Sequence, residues 1–257
     1  MKISTNLCAL ALAASGALSI ALPAPAATPA YIAAAVADAG RPEADRKRDA
    51  DRKPAETLLF ANIRPGEQVV ELVPGGGYYT RLLSHVVGKH GKIFAVAPAP
   101  RTAPEPGEPD RTAAVKAIAA DPHYANVTVL VQPIASLSLP EKADVVWTSQ
   151  NYHDVHNVTG LDLQAFNKSI FEALKPGGEY FVIDHSAAAD APADVTSTLH
   201  RIDSELVKRE VIAAGFVLEE ESPLLRNSAD PRTAAVFDPA IRGKTDQFVL
   251  KFRKPKK

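Results

Sequence analysis

The stretch VVELVPGGGYYTRLLSHV, residues 69–86, decides how the 257-residue chain is read. A β-branched run closes on the acid Glu71, three glycines follow Pro74, and a helical segment opens at Tyr78. QVVELV (68–73) is short, apolar and bounded by turn residues, which predicts a buried strand; YYTRLLSHVVG predicts a helix ended by Gly88. The glycines therefore lie in a strand-to-helix turn. There they either bend the chain or let the backbone approach a ligand, and Gly75 and Gly77 are the positions expected to do the latter.

The same alternation continues outward from this turn. GKIFAVA (91–97), NVTVLV (126–131), ADVVWTSQ (143–150), EYFVIDH (179–185), FVLEEES (216–222) and DQFVLKF (246–252) read as strands. Helices are predicted over 110–120, from 163, where Leu163, Phe166, Ile170 and Leu174 recur at helical spacing, to a stop at Pro176 and two glycines, and over 203–215, capped by Asp203 and Gly215. A proline-rich loop fills 97–109, and the connection 223–245 has no clear periodicity. Strands alternating with helices imply right-handed crossovers: an α/β, Rossmann-like, doubly wound and mainly parallel sheet. A ligand then belongs beyond the carboxyl ends of the strands, near the first.

A chain of this length with 46% hydrophobic residues can bury one large core. The formal net charge of -1 and the pI near 6.7 argue against nucleic acid as a partner, and the basic tail KFRKPKK is too short to reverse this. The N-terminus carries Lys2, an apolar and small-residue run over 7–22, and an alanine-rich cleavage region around Ala24 to Ala27. This pattern predicts a cleaved signal peptide over 1–27, a periplasmic or secreted mature protein, and no membrane association after cleavage. As a retained span the run is short of the roughly 20 strongly apolar residues required. Cleavage would remove Cys8, the only cysteine. Residues 28–53 read as a linker and a doubly charged helix, which is either a solvated face or a lid carrying Asp49 and Arg52 towards a ligand; the main domain spans 54–257.

The glycine turn gains weight from LKPGGEYFVIDH (174–185) about a hundred residues later. In this order and spacing the two segments resemble motif I and the post-helix motif of the class I S-adenosylmethionine-dependent methyltransferases. RKPAETLLF, PGGGYYTRLL, NYHD and FDPAIRGKTDQFVLKFRKP resemble, more narrowly, a branch of predicted methyltransferases that often carry signal peptides. The resemblance implies a seven-stranded sheet with the last strand, DQFVLKF, inserted antiparallel. It also implies S-adenosylmethionine as cofactor, a small-molecule substrate, and a cofactor site at Glu71, Pro74, Gly75, Gly76, Gly77, Thr80 and Gln150. The sequence departs from the family at three points. Val73 stands at the first glycine position, so that corner is expected to be built differently. No carboxylate occurs in AVAPAP after the second strand, where the ribose acid belongs, or in VQPIAS after the third, near the adenine.

The fourth strand runs into SQNYHDVHN (149–157), and the fifth ends on Asp184 and His185. This loop offers donors, an acid and two bases, and in the fold that the chain resembles it lies beside the glycine turn. His153 is the expected general base, Asp154 its orienting partner, and Tyr152 a stacking or hydrogen-bonding wall. Two other readings stay open: His153, His156 and His185 as N/O metal ligands, and a binding or accessory protein that kept the fold without the cofactor. His85, His90, His123 and His200 read as isolated, Trp147 as core. Arg226, Arg232 and Arg242 either close over an anionic substrate or face water.

Overall fold

The computed structural model describes residues 27–100, 107–189, 191–192 and 194–256. The expected signal segment, up to residue 26, lies outside these. The strands are β1 (Gln68–Leu72), β2 (Lys92–Pro98), β3 (Val127–Gln132), β4 (Ala143–Ser149), β5 (Leu174–His185), β6 (Val217–Ser222) and β7 (Gln247–Arg253). They form one seven-stranded sheet of order β3-β2-β1-β4-β5-β7-β6. β7 runs antiparallel to both β5 and β6, and the other pairings are parallel. The expected doubly wound sheet with an antiparallel last strand is therefore the observed one.

Side-chain alternation explains why both faces are covered. Val69, Val145 and Trp147 enter one core with Leu58, Leu82, Val86 and Ile118, and Trp147 stacks on Phe181 at 4.3 Å. Val70, Leu72 and Val146 point the other way, onto Phe166, Ile170, Val207 and Val211. The helices supplying the first face are α1 (Ala30–Ala37), α4 (Pro54–Phe60), α5 (Tyr78–Val87) and α6 (Ala113–Ala120), with the short α2 (Glu43–Arg46) and α3 (Asp49–Arg52) between α1 and α4. The second face is covered by α8 (Leu163–Ala173) and α10 (Ser204–Ala213), with α7 (Tyr152–His156) and α9 (Val195–Thr198) near the strand ends. None of the described helices is long and apolar enough to cross a membrane.

Three local outcomes differ from the sequence reading. The helix expected up to a stop at Pro176 ends slightly earlier, at Ala173, because the chain enters β5 at Leu174 and the KPGG segment shifts the register: Ala143 pairs with Leu174 but Val145 with Glu179. A side chain at Gly178 would place Cβ 2.9 Å from the Asp144 carbonyl oxygen, so only glycine passes there. The charged segment 41–53 is two single turns rather than one helix, broken at Lys53, whose φ of 44° is left-handed, before Pro54 starts α4 at its first position. The sequence NYHDVH, read as loop, contains the short helix α7.

The connection 223–245 lacks periodicity because side chains, not secondary structure, fix it. Arg201 and Asp230 are both fully buried and form a two-pronged pair at 2.8 and 3.1 Å. Asp230 also accepts from the Asp246 N–H at 2.7 Å, which joins the connection to the start of β7. Arg226 and Arg232 turn to Asp246 at 3.4 and 3.0 Å, bracing the same joint. Removing one member of a buried pair strands the other charge, so Asp230→Ala is expected to cost about 3–5 kcal/mol in urea unfolding. A loss below about 1 kcal/mol would show that the pair does not anchor this connection.

Candidate functional site

The sheet reverses direction of growth between β1 and β4, the switch point beyond whose strand ends ligands bind in sheets of this kind. Leu72 pairs with Thr148, so the chain leaves both strands side by side. Two residues there hold left-handed backbone: Val73 with φ 51° and Gln150 with φ 59°. For a β-branched residue this is a strained state worth about 1–2 kcal/mol. The corner is thus not rebuilt around Val73 by a different path; Val73 itself takes a conformation suited to glycine. Asn151 holds the arrangement, its Nδ2 donating to the carbonyls of Leu72, Val73 and Ser149 at 3.1, 3.2 and 3.1 Å.

The three glycines divide their roles. Gly75 and Gly76 are exposed, and a Cβ on either would meet nothing within 4 Å. Gly77, at φ 78°, is buried, and a Cβ there would lie 2.0 Å from Ile118 Cδ1. Gly75 and Gly76 thus leave the backbone open on one side of the turn, whereas Gly77 is also required by its close packing against Ile118 of α6. Pro74 is buried, and its carbonyl accepts from Gly77 N–H at 2.9 Å, closing the turn. Beneath it Glu71 is 3% exposed and bonded to the buried Thr80 hydroxyl. Burial pushes the Glu71 carboxyl up to about 8, against the Thr80 hydrogen bond and the charges of Arg52 and Arg81.

The N-terminal segment lies over this turn. Arg41 makes a two-pronged contact with Asp49 at 2.7 and 2.9 Å, Asp49 accepts from the Tyr78 hydroxyl at 2.7 Å, and Arg81 reaches Asp45 at 2.8 Å. Asp49 is thereby committed to the protein itself. Arg52 lies 4.6 Å from the Tyr78 ring centre and bonds Gln150 Oε1, while Gln150 Nε2 donates to Gln247 at 2.9 Å. Both ends of the Gln150 amide have partners within the chain. On the far side of the crevice Leu72, Val73, Val96, Pro98, Gln132 and Ile134 line an apolar pocket at the ends of β1, β2 and β3. Gln132 Nε2 is buried there without a hydrogen-bond partner among the described residues, a donor waiting for an acceptor. Pro98 ends β2, where the ribose acid was sought.

The polar loop organises around Asp184. This carboxylate is fully buried and accepts from His153 N–H at 2.7 Å, from His185 N–H at 2.7 Å and from His153 Nδ1 at 2.8 Å. Burial alone would raise Asp184, but the His153 charge and these donors hold it below the usual carboxylate range. An ionised carboxylate only accepts, so His153 Nδ1 carries the proton and Nε2 is left for chemistry. Burial depresses His153, yet Asp184 outweighs it and raises the imidazole above its ordinary value. The orienting partner is Asp184 rather than Asp154, because Asp184 meets Nδ1 from the neighbouring strand end. Asp154 is half-exposed and stands 3.4 Å from Nε2, beside His200 Nδ1 at 3.7 Å from the same oxygen.

Other expectations are corrected. Tyr152 is no wall of the cleft: it is fully buried on the α8 side, donating to Glu210 at 2.9 Å and accepting from Asn167 at 2.8 Å. His156 follows it to Glu210 at 3.0 Å, so His153, His156 and His185 do not form a ligand set. His185 meets the Thr245 hydroxyl at 2.7 Å, and burial lowers it to about 4, leaving it neutral at neutral pH. His200 is not isolated: its ring stands edge-on to His153 at 5.5 Å and packs on the exposed Phe237 at 4.8 Å. The one sequence signal for His200 was its place shortly after β5, which says nothing about a return to the cleft.

No family model and no curated protein matches the chain. Solved structures do. A SAM dependent methyltransferase from Aquifex aeolicus aligns with TM-score 0.57 and 15% identity over 83% of this chain and 98% of that one. The fold is that of the class I methyltransferases. The glycopeptide N-methyltransferase MtfA, solved with S-adenosyl-L-methionine, aligns at 0.53 and 18% over 78% of this chain and 86% of its own. The [4+2]-cyclase SpnF aligns at 0.58 and 16% over 86% of both chains, so this fold also serves a different reaction.

If Asp184 raises His153, Asp184→Asn, which keeps an acceptor but removes the charge, moves the His153 titration to lower pH. NMR titration of the imidazole checks this, and an unchanged midpoint would assign the shift elsewhere.

Proposed function

We propose that the protein is an S-adenosylmethionine-dependent methyltransferase for a small molecule or exported component whose acceptor gives up a proton to His153. The buried His153–Asp184 pair, set at the ends of β4 and β5 with β4 paired to the strand that enters the open glycine turn, carries this reading. The residues fit the cofactor in two respects. Gly75 and Gly76 present backbone to open space, and Gln132, whose Nε2 has no partner among the described residues, lines an apolar pocket at the ends of β1–β3 against which a purine could lie. Gln132 replaces the missing adenine acid with a donor. Pro98 leaves the ribose hydroxyls without a carboxylate, which weakens binding by roughly ten- to a hundredfold.

S-adenosylmethionine, when bound, supplies an electrophilic methyl on a sulfonium. The chain does the rest. Gln132, Val96 and Ile134 would hold the purine, and the open Gly75–Gly76 backbone would face the rest of the cofactor. Glu71, largely neutral in the free protein, ionises when an ammonium group docks above it, since a nearby cation offsets the cost of burying its charge. Arg52 and Gln150 bound the mouth. His153 Nε2 takes the acceptor's proton, and Asp184 stabilises the resulting imidazolium without taking the proton itself. The acceptor would enter past Asp154, His200 and Phe237, the more exposed residues that cover the buried imidazole.

We also infer export by cleavage of the segment 1–27; mass spectrometry of protein from the native cell is expected to find a mature start near Ala27 or Thr28, and an intact Met1 would contradict it. The partner is then a small molecule, not nucleic acid.

Calorimetry with S-adenosylmethionine and S-adenosylhomocysteine tests the cofactor reading. Binding is expected, and Gln132→Leu weakens it about 2- to 10-fold; absence of binding at millimolar ligand would favour the accessory-protein reading. His153→Ala is expected to abolish turnover while leaving cofactor affinity nearly unchanged. Because the base works neutral, the acid limb of kcat/KM lies above the ordinary imidazole value and moves down in Asp184→Asn. An acid limb indifferent to that change would remove His153 from the role.

A further inference from the structure

Away from the cleft, three segments distant in sequence bring a carboxylate and two imidazoles to one point. Asp38 lies at the end of α1, His85 in the last turn of α5, and His123 in the single turn Pro122–Tyr124 before β3. His85 Nε2 and His123 Nε2 are 2.9 Å apart, and Asp38 Oδ2 is 3.0 and 3.1 Å from them.

Protons alone do not satisfy this triangle. With no proton on either Nε2, three lone pairs face one another. With one, that N–H serves a single side and leaves the other nitrogen's lone pair against the carboxylate. With two, both rings donate to Asp38, but their N–H groups then oppose each other across the 2.9 Å gap. A cation satisfies all three sides at once. At the ~2.0–2.1 Å typical of Zn–N and Zn–O bonds, a metal would sit roughly 1 Å out of the plane of the three atoms. A regular tetrahedron with those bonds has edges of about 3.3–3.4 Å, so each ligand need relax by only a few tenths of an ångström.

The surroundings support the ligands. The Gly40 N–H donates to Asp38 Oδ1 at 3.0 Å, and Asp121 caps the His123 turn at 2.9 Å. A side chain at Gly40 would put Cβ 2.7 Å from His123 Nε2. The Tyr124 ring stands edge-on to both imidazoles at 4.9 and 6.0 Å. The His85 and His123 side chains are 28% and 42% exposed, which leaves an open side for water as a fourth ligand. The other converging group, His153, Asp154 and His200, is looser, at 3.4 and 3.7 Å, and belongs to the cleft.

We propose that Asp38, His85 and His123 form a site for a divalent late transition metal of the zinc type, which fastens the N-terminal segment to α5. Two imidazoles and a carboxylate are the donors such ions accept. The site lies one turn along α5 from Arg81, which grips Asp45, so the metal and that ion pair hold the same segment whose Arg52 meets Gln150. This is independent of methyl transfer.

The test uses tag-free protein stripped with chelator and dialysed against zinc. One zinc per chain is expected by elemental analysis, with a thermal midpoint that rises with zinc concentration. His123→Gln and His85→Ala are expected to lose both effects, and His200→Ala to keep them. Circular dichroism of the metal-free variants confirms that they fold. No retained zinc in the wild type, or retention undiminished in the His85→Ala/His123→Gln double variant, would overturn the proposal. Loss of zinc in His200→Ala with retention in His123→Gln would assign the metal to the cleft and overturn it equally.

Discussion

A single buried carboxylate organises the working end of this protein. Asp184 closes β5, pairs in register with Phe248 of β7, and spends its oxygens on the N–H groups of His153 and His185 and on the His153 ring. With no solvent to share the charge, every one of those donors is held firmly, because a misplaced donor would leave an ionised group unpaired in a dry site. The start of α7, the tautomer of His153 and the direction of its free nitrogen all follow. The antiparallel insertion of β7 brings Gln247 to the same edge, where it receives Gln150.

The second constraint is strain at the point where β1 and β4 diverge. Val73 and Gln150 both occupy the left-handed region, one on each side of the crevice. Non-glycine residues keep such conformations only where their surroundings over-determine them. Asn151, bonded to three carbonyls on the two strand ends, does this. The strained pair then fixes the course of the chain on both sides of the point where β1 and β4 diverge.

The architecture was legible because it rests on local pattern: apolar runs of strand length, glycines and prolines at the breaks, and strict alternation of strand and helix. Elements failed where the decisive partner was distant in sequence. The position of His153 just past a strand end is visible in the sequence, but the carboxylate that holds it is not its neighbour Asp154; it arrives from β5 as Asp184. Tyr152 and His156 lie among polar residues in sequence, yet the turn of α7 rotates both towards Glu210, on another helix. His85 and His123 looked solitary because the fold, not the sequence, sets them side by side. Likewise the charged run 41–53 showed its composition but not that Arg41 would be buried against Asp49 and Arg52 set over Tyr78.

These features describe a crevice bounded on one side by the glycine turn, on another by the Gln132 pocket, and roofed by the N-terminal segment. The central claim is that an S-adenosyl ligand occupies it. Hydrogen exchange with and without S-adenosylhomocysteine measures this directly, peptide by peptide. The expected result is slowed exchange in residues 73–80, 130–134 and 49–53 together. Unchanged exchange in all three regions at saturating ligand, or protection confined to some other part of the chain, would contradict the account.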